Sequence, residues 1–158
     1  MSEHNHDHQQ PSSFMCFVCG VNNHDGLQVR FFNDGENAVR AEVSIDDRFQ
    51  GFPGIAHGGV VAALLDEIVG RAGLSGNPNR LMYTGKLEVK YRQHVPLHTA
   101  LTLKGRIDKD RGRIVQASGE MSTADGAILA EATATLMELP DEVLKAIDID
   151  KVGWKVVP

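Results

Sequence analysis

The chain has 158 residues, which is enough for one domain with a substantial core, and its 42% hydrophobic and 23% charged residues are ordinary for a globular protein. Its net charge of -5 argues against nucleic acid as the main partner, because nucleic acid requires a basic surface, but a local basic cluster could still bind a small anion. No apolar run approaches the roughly 20 residues that span a bilayer, and no secretory segment is recognisable, so we expect a cytoplasmic protein with no membrane partner.

The N-terminal half is predicted to contain a tail and two strands. Residues 1–13 are polar and rich in His, Gln and Ser, so they are predicted to be a disordered tail, with residues 14–158 forming a single domain. Residues 27–32 are predicted as a short strand. Apolar and polar residues alternate over residues 39–45, which indicates a half-buried strand.

Residues 58–72 differ from everything around them because they are apolar on nearly every side. Alanine and leucine favour a helix here, and only Asp66 and Glu67 interrupt the apolar surface. A helix of this kind must be buried on nearly all sides. We expect Glu67 to point outward at a gap in the surrounding structure.

The C-terminal half is predicted to consist of hairpin-linked strands followed by one short helix at residues 140–147. The turns at residues 108–112 and 123–126 have hairpin chemistry. An antiparallel sheet wrapped around a single long helix would bury both the apolar face of the sheet and the helix, which predicts an α+β fold. The predicted strands cover residues 81–93, 100–109, 112–123 and 127–139.

The start of the predicted helix, His57-Gly58-Gly59, is a candidate oxyanion site. The first-turn N–H groups of a helix lack intrahelical partners, the helix dipole makes this end electropositive, and glycine lets another group approach the backbone. His57 could take part in catalysis because its pKa lies in the physiological range. The alternative, which we favour, is that His57 fixes the loop at the helix entrance by hydrogen bonding.

Asp66 is the candidate catalytic carboxylate. An ionised carboxylate on an apolar helix costs several kcal/mol unless it is paired or faces a wet cleft. Gly59 and Asp66 lie seven residues apart, which places them roughly 10 Å apart along a helix, so one carbonyl group cannot contact both in a single chain. If they act together, two antiparallel helices across a two-fold axis must form two composite sites, and the protein must be at least a dimer.

Three segments resemble the PaaI-like thioesterases of the hotdog superfamily, and the resemblance covers about residues 14–139. Residues 54–59 (GIAHGG), followed by Asp66, resemble the signature of that family. Residues 16–27 contain a CxxCG entry and a downstream N…GL pattern found in one branch of it. Residues 83–92 (YTGKLEVKYR) resemble the strand that follows the helix in these proteins.

The resemblance implies a hotdog fold and hydrolysis of acyl-CoA to free acid and CoA, by a homodimer or dimer of dimers without a cofactor. By position, Asp66 would act as general base or nucleophile, and the Gly58 amide of the partner chain would polarise the thioester carbonyl. Thr84 corresponds to a hydroxyl that orients water or the carboxylate. Some relatives carry an Asn or Gln at the position of Gly51, so the neighbouring Gln50 is a candidate carbonyl donor.

The resemblance also implies that CoA lies on the surface with its phosphates near basic side chains. Gly59 is a candidate substrate contact at the helix end. Arg111 and Arg113 lie in a predicted hairpin turn, where ordinary solvated charges are an equally good interpretation. The candidate phosphate-binding residues are Arg92, Arg111 and Arg113, with Lys90 and Lys109 behind them.

Cys16 and Cys19 have the spacing of half a zinc site, but no second ligand pair is visible in the sequence. A redox CxxC would be expected at a helix start in a βαβ setting, which is absent. We favour two packing cysteines and predict no metal site. His4, His6 and His8 could bind metal loosely, although a flexible polar tail is the favoured interpretation.

A different class of function stays open, because an acyl-CoA binder or sensor could use the same helix end without needing Asp66. Release of free CoA distinguishes hydrolysis from binding.

Overall fold

The structure is a computed structural model that describes residues 8–157. Its centre is one antiparallel sheet of six strands in the order β1-β2-β4-β5-β6-β3, and helix α1 (Gly58–Gly70) packs against strands β2 to β6. This arrangement confirms the α+β hotdog fold predicted from the sequence. The strands are β1 (Phe32–Asn33), β2 (Ala38–Val43), β3 (Met82–Tyr91), β4 (Leu101–Asp110), β5 (Ile114–Thr123) and β6 (Ile128–Glu138).

Helix α1 is held against the sheet by a row of buried aliphatic side chains. Burying one such side chain contributes about 1.5–3 kcal/mol, so this row is a major part of the core. Gly105 and Gly119 lie opposite each other on β4 and β5, directly beneath the helix. A Cβ atom at Gly105 would lie 2.5 Å from the carbonyl oxygen of Ile68, so this glycine permits the close approach of helix and sheet. The buried residues of α1 are Val61, Leu64, Leu65, Ile68 and Val69.

The helix and the four long strands lie where the sequence predicts them, to within about two residues. The prediction of a strand at residues 27–32 is wrong for most of its length, because only Phe32 joins the sheet. The preceding residues bond to the N-terminal segment instead: the Val29 amide donates to the Val18 carbonyl, and the Phe31 carbonyl accepts from Gln10.

The prediction of a disordered tail at residues 1–13 is wrong at its C-terminal end, and residues 1–7 lie outside the described residues. Gln10 is only 2% exposed, and its side chain donates to the Arg71 carbonyl oxygen at 3.2 Å. Ser12 and Lys155 exchange backbone hydrogen bonds. These contacts follow from hydrogen bonding rather than from apolar burial, so hydrophobicity gave no sign of them.

The C-terminus ends in two short helices, α2 (Asp141–Ala146), which was predicted, and α3 (Ile149–Val152), which was not. The Trp154 indole N–H donates to the Pro78 carbonyl at 2.9 Å, and the Arg71 guanidinium lies over the Trp154 ring. Gln10 and Trp154 therefore both dock near the C-terminal end of α1. Among residues 8–157, no helix combines the length and apolar character that crossing a membrane requires.

Candidate functional site

His57 caps the N-terminus of α1. Its ring Nδ1 accepts a hydrogen bond from the Gly59 amide at 2.9 Å, and its carbonyl accepts from Val60 and Val61 at 2.9 and 3.1 Å. This contact is the structural role that the sequence favoured for His57, and a catalytic role stays a prediction. A Cβ atom at Gly59 would lie 3.1 Å from Nδ1, so this glycine makes room for the capping ring.

The Gly58 amide is the one N–H of the first turn that has no acceptor in the part of the chain that the structure describes. The Gly59 amide, by contrast, is already used by His57. Because the helix dipole adds partial positive charge at this end, the Gly58 N–H is the donor suited to an incoming carbonyl oxygen. Gly59 remains a candidate substrate contact only through the backbone surface that it exposes beside the Gly58 amide.

A groove of about 750 Å³ is lined by Gly58 and by residues of the loop before α1 and of the end of β3. Tyr91, at the end of β3, donates its hydroxyl to the Gly58 carbonyl at 2.7 Å and fixes the first turn from the sheet side. Tyr91 was not predicted as part of the site, because the sequence does not show which β3 side chain reaches the first turn of the helix. Phe52, which also lines the groove, is 79% exposed and adds an apolar surface.

Gln50 lies at the edge of this groove. Its backbone pairs with Ala56 in an isolated bridge, and its side chain is exposed, without a hydrogen-bond partner among residues 8–157. Gly51, which lines the groove, lies so close to the chain that a Cβ atom would be 3.2 Å from the His57 Cα. A larger residue at position 51 would therefore have to displace the helix entrance, and the role of Gln50 stays a prediction.

Asp66 lies in the middle of α1 and is half-buried beside β3. The Thr84 hydroxyl donates to Asp66 Oδ1 at 2.6 Å, so the two candidate residues are brought together as the resemblance implied. The strand is irregular at this point, because its register against β6 shifts between Thr84 and Lys86. Such bulges re-aim side chains and are common beside active sites.

The expectation that Glu67 points outward is wrong. Its carboxylate accepts from Arg71 Nε at 2.8 Å, and the side chain is only 21% exposed. Burial raises the pKa of Glu67, and the neighbouring Arg71 charge opposes that rise. Arg71 itself is buried against the Phe31 ring, so the pair is part of the core and supports the segment that carries Asp66.

Within one chain, the two halves of the candidate site are separate. Gly58 and Asp66 are eight residues apart, which corresponds to about 12 Å along the helix. Gly58 lines the groove described above, whereas Asp66 and Thr84 line a different cleft that shares no residue with it.

The three candidate arginines are also not brought together in one chain. Arg92 lines the Gly58 groove and forms a 2.8 Å ion pair with Glu131. Arg111 and Arg113 lie exposed around the β4–β5 turn, at the opposite end of the sheet. That end is the one nearer to Asp66 and Thr84.

Comparison with known protein families gives a match to a family model. The model of the thioesterase superfamily matches residues 53–130, which contain α1 and strands β3, β4 and β5. The match assigns this segment, about half of the chain, to the thioesterase superfamily. The matched segment contains four of the five candidate catalytic residues, since Gln50 lies just before it.

Two proteins of the family show how far the similarity extends. Rat acyl-coenzyme A thioesterase THEM4 is 28% identical over 116 residues, covering 72% of this chain and 49% of the rat protein. The crystal structure of a thioesterase superfamily protein is 31% identical with a TM-score of 0.73, covering 78% of this chain and 60% of that one. The chain therefore spans about half the length of the curated relative.

A more distant structure shares the fold of the family. The crystal structure of a Streptococcus mutans protein bound to acetyl-CoA has a TM-score of 0.63 and 21% identity, covering 69% of this chain and 86% of that chain.

Proposed function

We propose that the protein hydrolyses acyl-CoA thioesters to free acid and CoA. The observation that carries the proposal is the 2.6 Å hydrogen bond from Thr84 to Asp66 on an otherwise apolar helix. That bond occupies Oδ1 and leaves Oδ2 of Asp66 to accept a proton from water. The water oxygen then attacks the thioester carbonyl carbon, the C–S bond breaks, and the CoA thiolate leaves and is protonated.

The Gly58 amide supplies the second element of the mechanism. As the carbonyl carbon becomes tetrahedral, negative charge develops on its oxygen, and a donor fixed in advance stabilises that charge without reorganising. His57 and Tyr91 hold this first turn from two sides, through the Gly59 amide and the Gly58 carbonyl. The free amide is therefore a rigid donor.

Because Gly58 and Asp66 line separate clefts, we propose that the working unit is a homodimer in which each site combines Asp66 of one chain with Gly58 of the other. Strand β3 supports this arrangement: it lies at the edge of the sheet and pairs only with β6 among residues 8–157. A ten-residue open edge next to both clefts is a surface on which a second copy can pair. A dimer of dimers would extend the same arrangement.

Acyl-CoA is the proposed substrate because the rat relative is named an acyl-coenzyme A thioesterase and the Streptococcus mutans structure contains acetyl-CoA. In an antiparallel pair, Arg92 beside the Gly58 groove of one chain would approach the Asp66 end of the other chain. That is also the end at which Arg111 and Arg113 lie. A composite site would thus collect the three arginines that one chain keeps apart, and arginine suits CoA phosphates.

A thiol-release assay with short, medium, long and aromatic acyl-CoAs tests the proposal. We expect CoA release that depends on enzyme and is lost in Asp66→Asn, whereas Asp25→Asn, an exposed carboxylate outside both clefts, is unaffected. Size-exclusion chromatography with light scattering should give at least a dimer. Tight acyl-CoA binding without any CoA release would identify the protein as a binder instead, and a monomer with full activity would refute the composite site.

A further inference from the structure

Cys16, Cys19 and Glu67 form a cluster that the proposed hydrolysis does not use. One ligand atom from each, two sulfurs and a carboxylate oxygen, lie within 4.8 Å of one another. Two sulfurs bound at about 2.3 Å to a tetrahedral zinc ion are about 3.8 Å apart, so a shift of about 1 Å would bring these atoms into coordination. Cys19 is buried and Cys16 is partly buried, which leaves one side of the cluster accessible.

The backbone around the cysteines has the form of a tight metal-binding turn. The Cys19 amide is directed at the Cys16 sulfur at 3.4 Å, and the Gly20 amide donates to the Cys16 carbonyl at 2.8 Å. A Cβ atom at Gly20 would collide with that carbonyl oxygen, so the turn depends on glycine at this position. An N–H directed at sulfur stabilises the thiolate, which is the form that binds metal.

We propose that Cys16, Cys19 and Glu67 bind a zinc-class divalent metal ion that joins the N-terminal loop to the middle of helix α1. The fourth position would be taken by water, because Cys16 faces the accessible side. This inference does not depend on the proposed hydrolysis, since none of the three residues takes part in the proposed reaction.

The charges around the cluster fit such an ion. Two thiolates and one carboxylate would leave a divalent ion with a net charge of -1, and the buried Arg71 guanidinium would neutralise the remainder. Arg71 bonds only Oε1 of Glu67, at 2.8 Å, and no hydrogen bond from residues 8–157 reaches Oε2. Oε2 is therefore available as a ligand while Arg71 orients the carboxylate, as the hydrogen-bond partners of metal ligands commonly do.

The sequence favoured two packing cysteines because no second ligand pair follows them. The structure places the third ligand on α1, far along the chain, where the sequence gave Glu67 an outward orientation. Glu67 was therefore not considered as a third ligand, because its carboxylate was predicted to point outward.

Cobalt titration of the full chain tests the site, since cobalt occupies zinc sites and its thiolate complexes absorb in the near ultraviolet. His4, His6 and His8 are first replaced by alanine to remove a competing source of metal binding. We expect one cobalt per chain with a thiolate-to-cobalt band that zinc abolishes. Cys16→Ser and Cys19→Ser should each lose the band.

Glu67→Gln tests the third ligand, with the exposed Glu142→Gln on α2 as its matched control. We expect Glu67→Gln to weaken metal affinity by about tenfold or more, since even outer-shell partners have effects of that size. Glu142→Gln should bind as the parent does. A parent protein without the cobalt band, a band that survives in both cysteine variants, or unchanged affinity in Glu67→Gln would each overturn the proposal.

A second measurement needs no cysteine substitution and covers the case in which those variants fail to fold. The rate at which a thiol reagent modifies the two thiols of the histidine-substituted protein is measured in two conditions. The first contains one equivalent of zinc, and the second contains zinc followed by excess chelator. Zinc should protect both thiols and the chelator should restore their reactivity. Equal reactivity in the two conditions would contradict metal binding regardless of whether the protein hydrolyses acyl-CoA.

Discussion

The N-terminus of α1 and its middle differ in how they prepare for chemistry. At the N-terminus, bare backbone carries the candidate function, and the side chains of His57 and Tyr91 serve only to hold it. In the middle, a side chain carries it, and the Thr84 hydroxyl orients the Asp66 carboxylate. The first region supplies a donor for negative charge and the second an acceptor for a proton. Neither region is sufficient alone, which is why the proposed site needs two chains.

The largest predicted loss of kcat is at Asp66, in the middle of α1. Asp66→Asn keeps the size of the side chain and its hydrogen bond to Thr84 but removes the proton acceptor, so kcat should fall about a hundredfold to ten-thousandfold. Steady-state kinetics of CoA release measures this change, with the thermal unfolding midpoint as the check on folding. A variant that keeps its activity would remove Asp66 from the mechanism.

The amide end can be tested by a substitution that deletes a single N–H. Gly58 is the first residue of α1, where proline is tolerated, and the extended conformation of His57 (φ -60°, ψ 134°) suits the residue before a proline. Gly58→Pro should therefore fold, yet lower kcat by about a hundredfold to a thousandfold, the cost of one oxyanion donor.

Gly58→Ala serves as the control, because it retains the amide. Its added Cβ would meet the Tyr91 hydroxyl at 3.7 Å, which is ordinary contact. Similar losses in the proline and alanine variants would show that bulk, rather than the donor, explains the effect.

Mixing the two inactive variants tests directly whether the regions meet across chains. In a heterodimer of Asp66→Asn and Gly58→Pro chains, one site has both defects and the other has none. Random exchange makes half of the dimers mixed, so an equal mixture should recover about one quarter of the parent activity. If each site were built within one chain, the mixture would recover no activity. Once subunit exchange has been verified, a mixture no more active than the separate variants would exclude the composite site.

Gly58 and Asp66 were recognisable from the sequence because each differs from the apolar residues of the predicted helix around it. Asp66 interrupts an apolar helix, and Gly58 and Gly59 occupy its first turn, so residue type and spacing alone identify them. Tyr91 and the Glu67 orientation were not recognisable, because they depend on the rotation of α1 and on its register against β3. The burial of Gln10 was missed for a related reason, since its contacts with Arg71 and Asn33 are hydrogen bonds between distant segments.

Thr84 is expected to have a smaller effect than Asp66 or Gly58, because it orients the Asp66 carboxylate without reacting. Thr84→Val keeps the shape but removes the 2.6 Å hydrogen bond, so Asp66 should become less well oriented and kcat should fall by about tenfold, the value of one hydrogen bond to a charged group. Thr84→Ser retains the hydroxyl and should recover most of the activity. A loss in Thr84→Val as large as that of Asp66→Asn would instead assign Thr84 a direct part in the reaction.

The smallest predicted effect concerns Arg80, which lines the Asp66 cleft and is held by a bidentate ion pair with Asp110 at 2.6 and 2.9 Å. Arg80 lowers the pKa of Asp110 to about 2, with help from the Gly112 amide. A carboxyl with a depressed folded-state pKa adds stability above its ordinary pKa and loses that contribution as the pH falls through about 2.

Because Asp110 is 38% exposed, solvent weakens the pair, and Asp110→Asn should reduce the free energy of unfolding by less than about 1 kcal/mol at pH 7. Chemical denaturation at pH 7 and near pH 2 measures the difference, which should be smaller at the lower pH, where about half of the Asp110 carboxyl groups are protonated. The kcat of acyl-CoA hydrolysis should hardly change in this variant, since the Asp66 cleft needs Arg80 only as part of its wall. A large loss of kcat at unchanged stability would mean that the Arg80 charge itself belongs to the acidic half of the site.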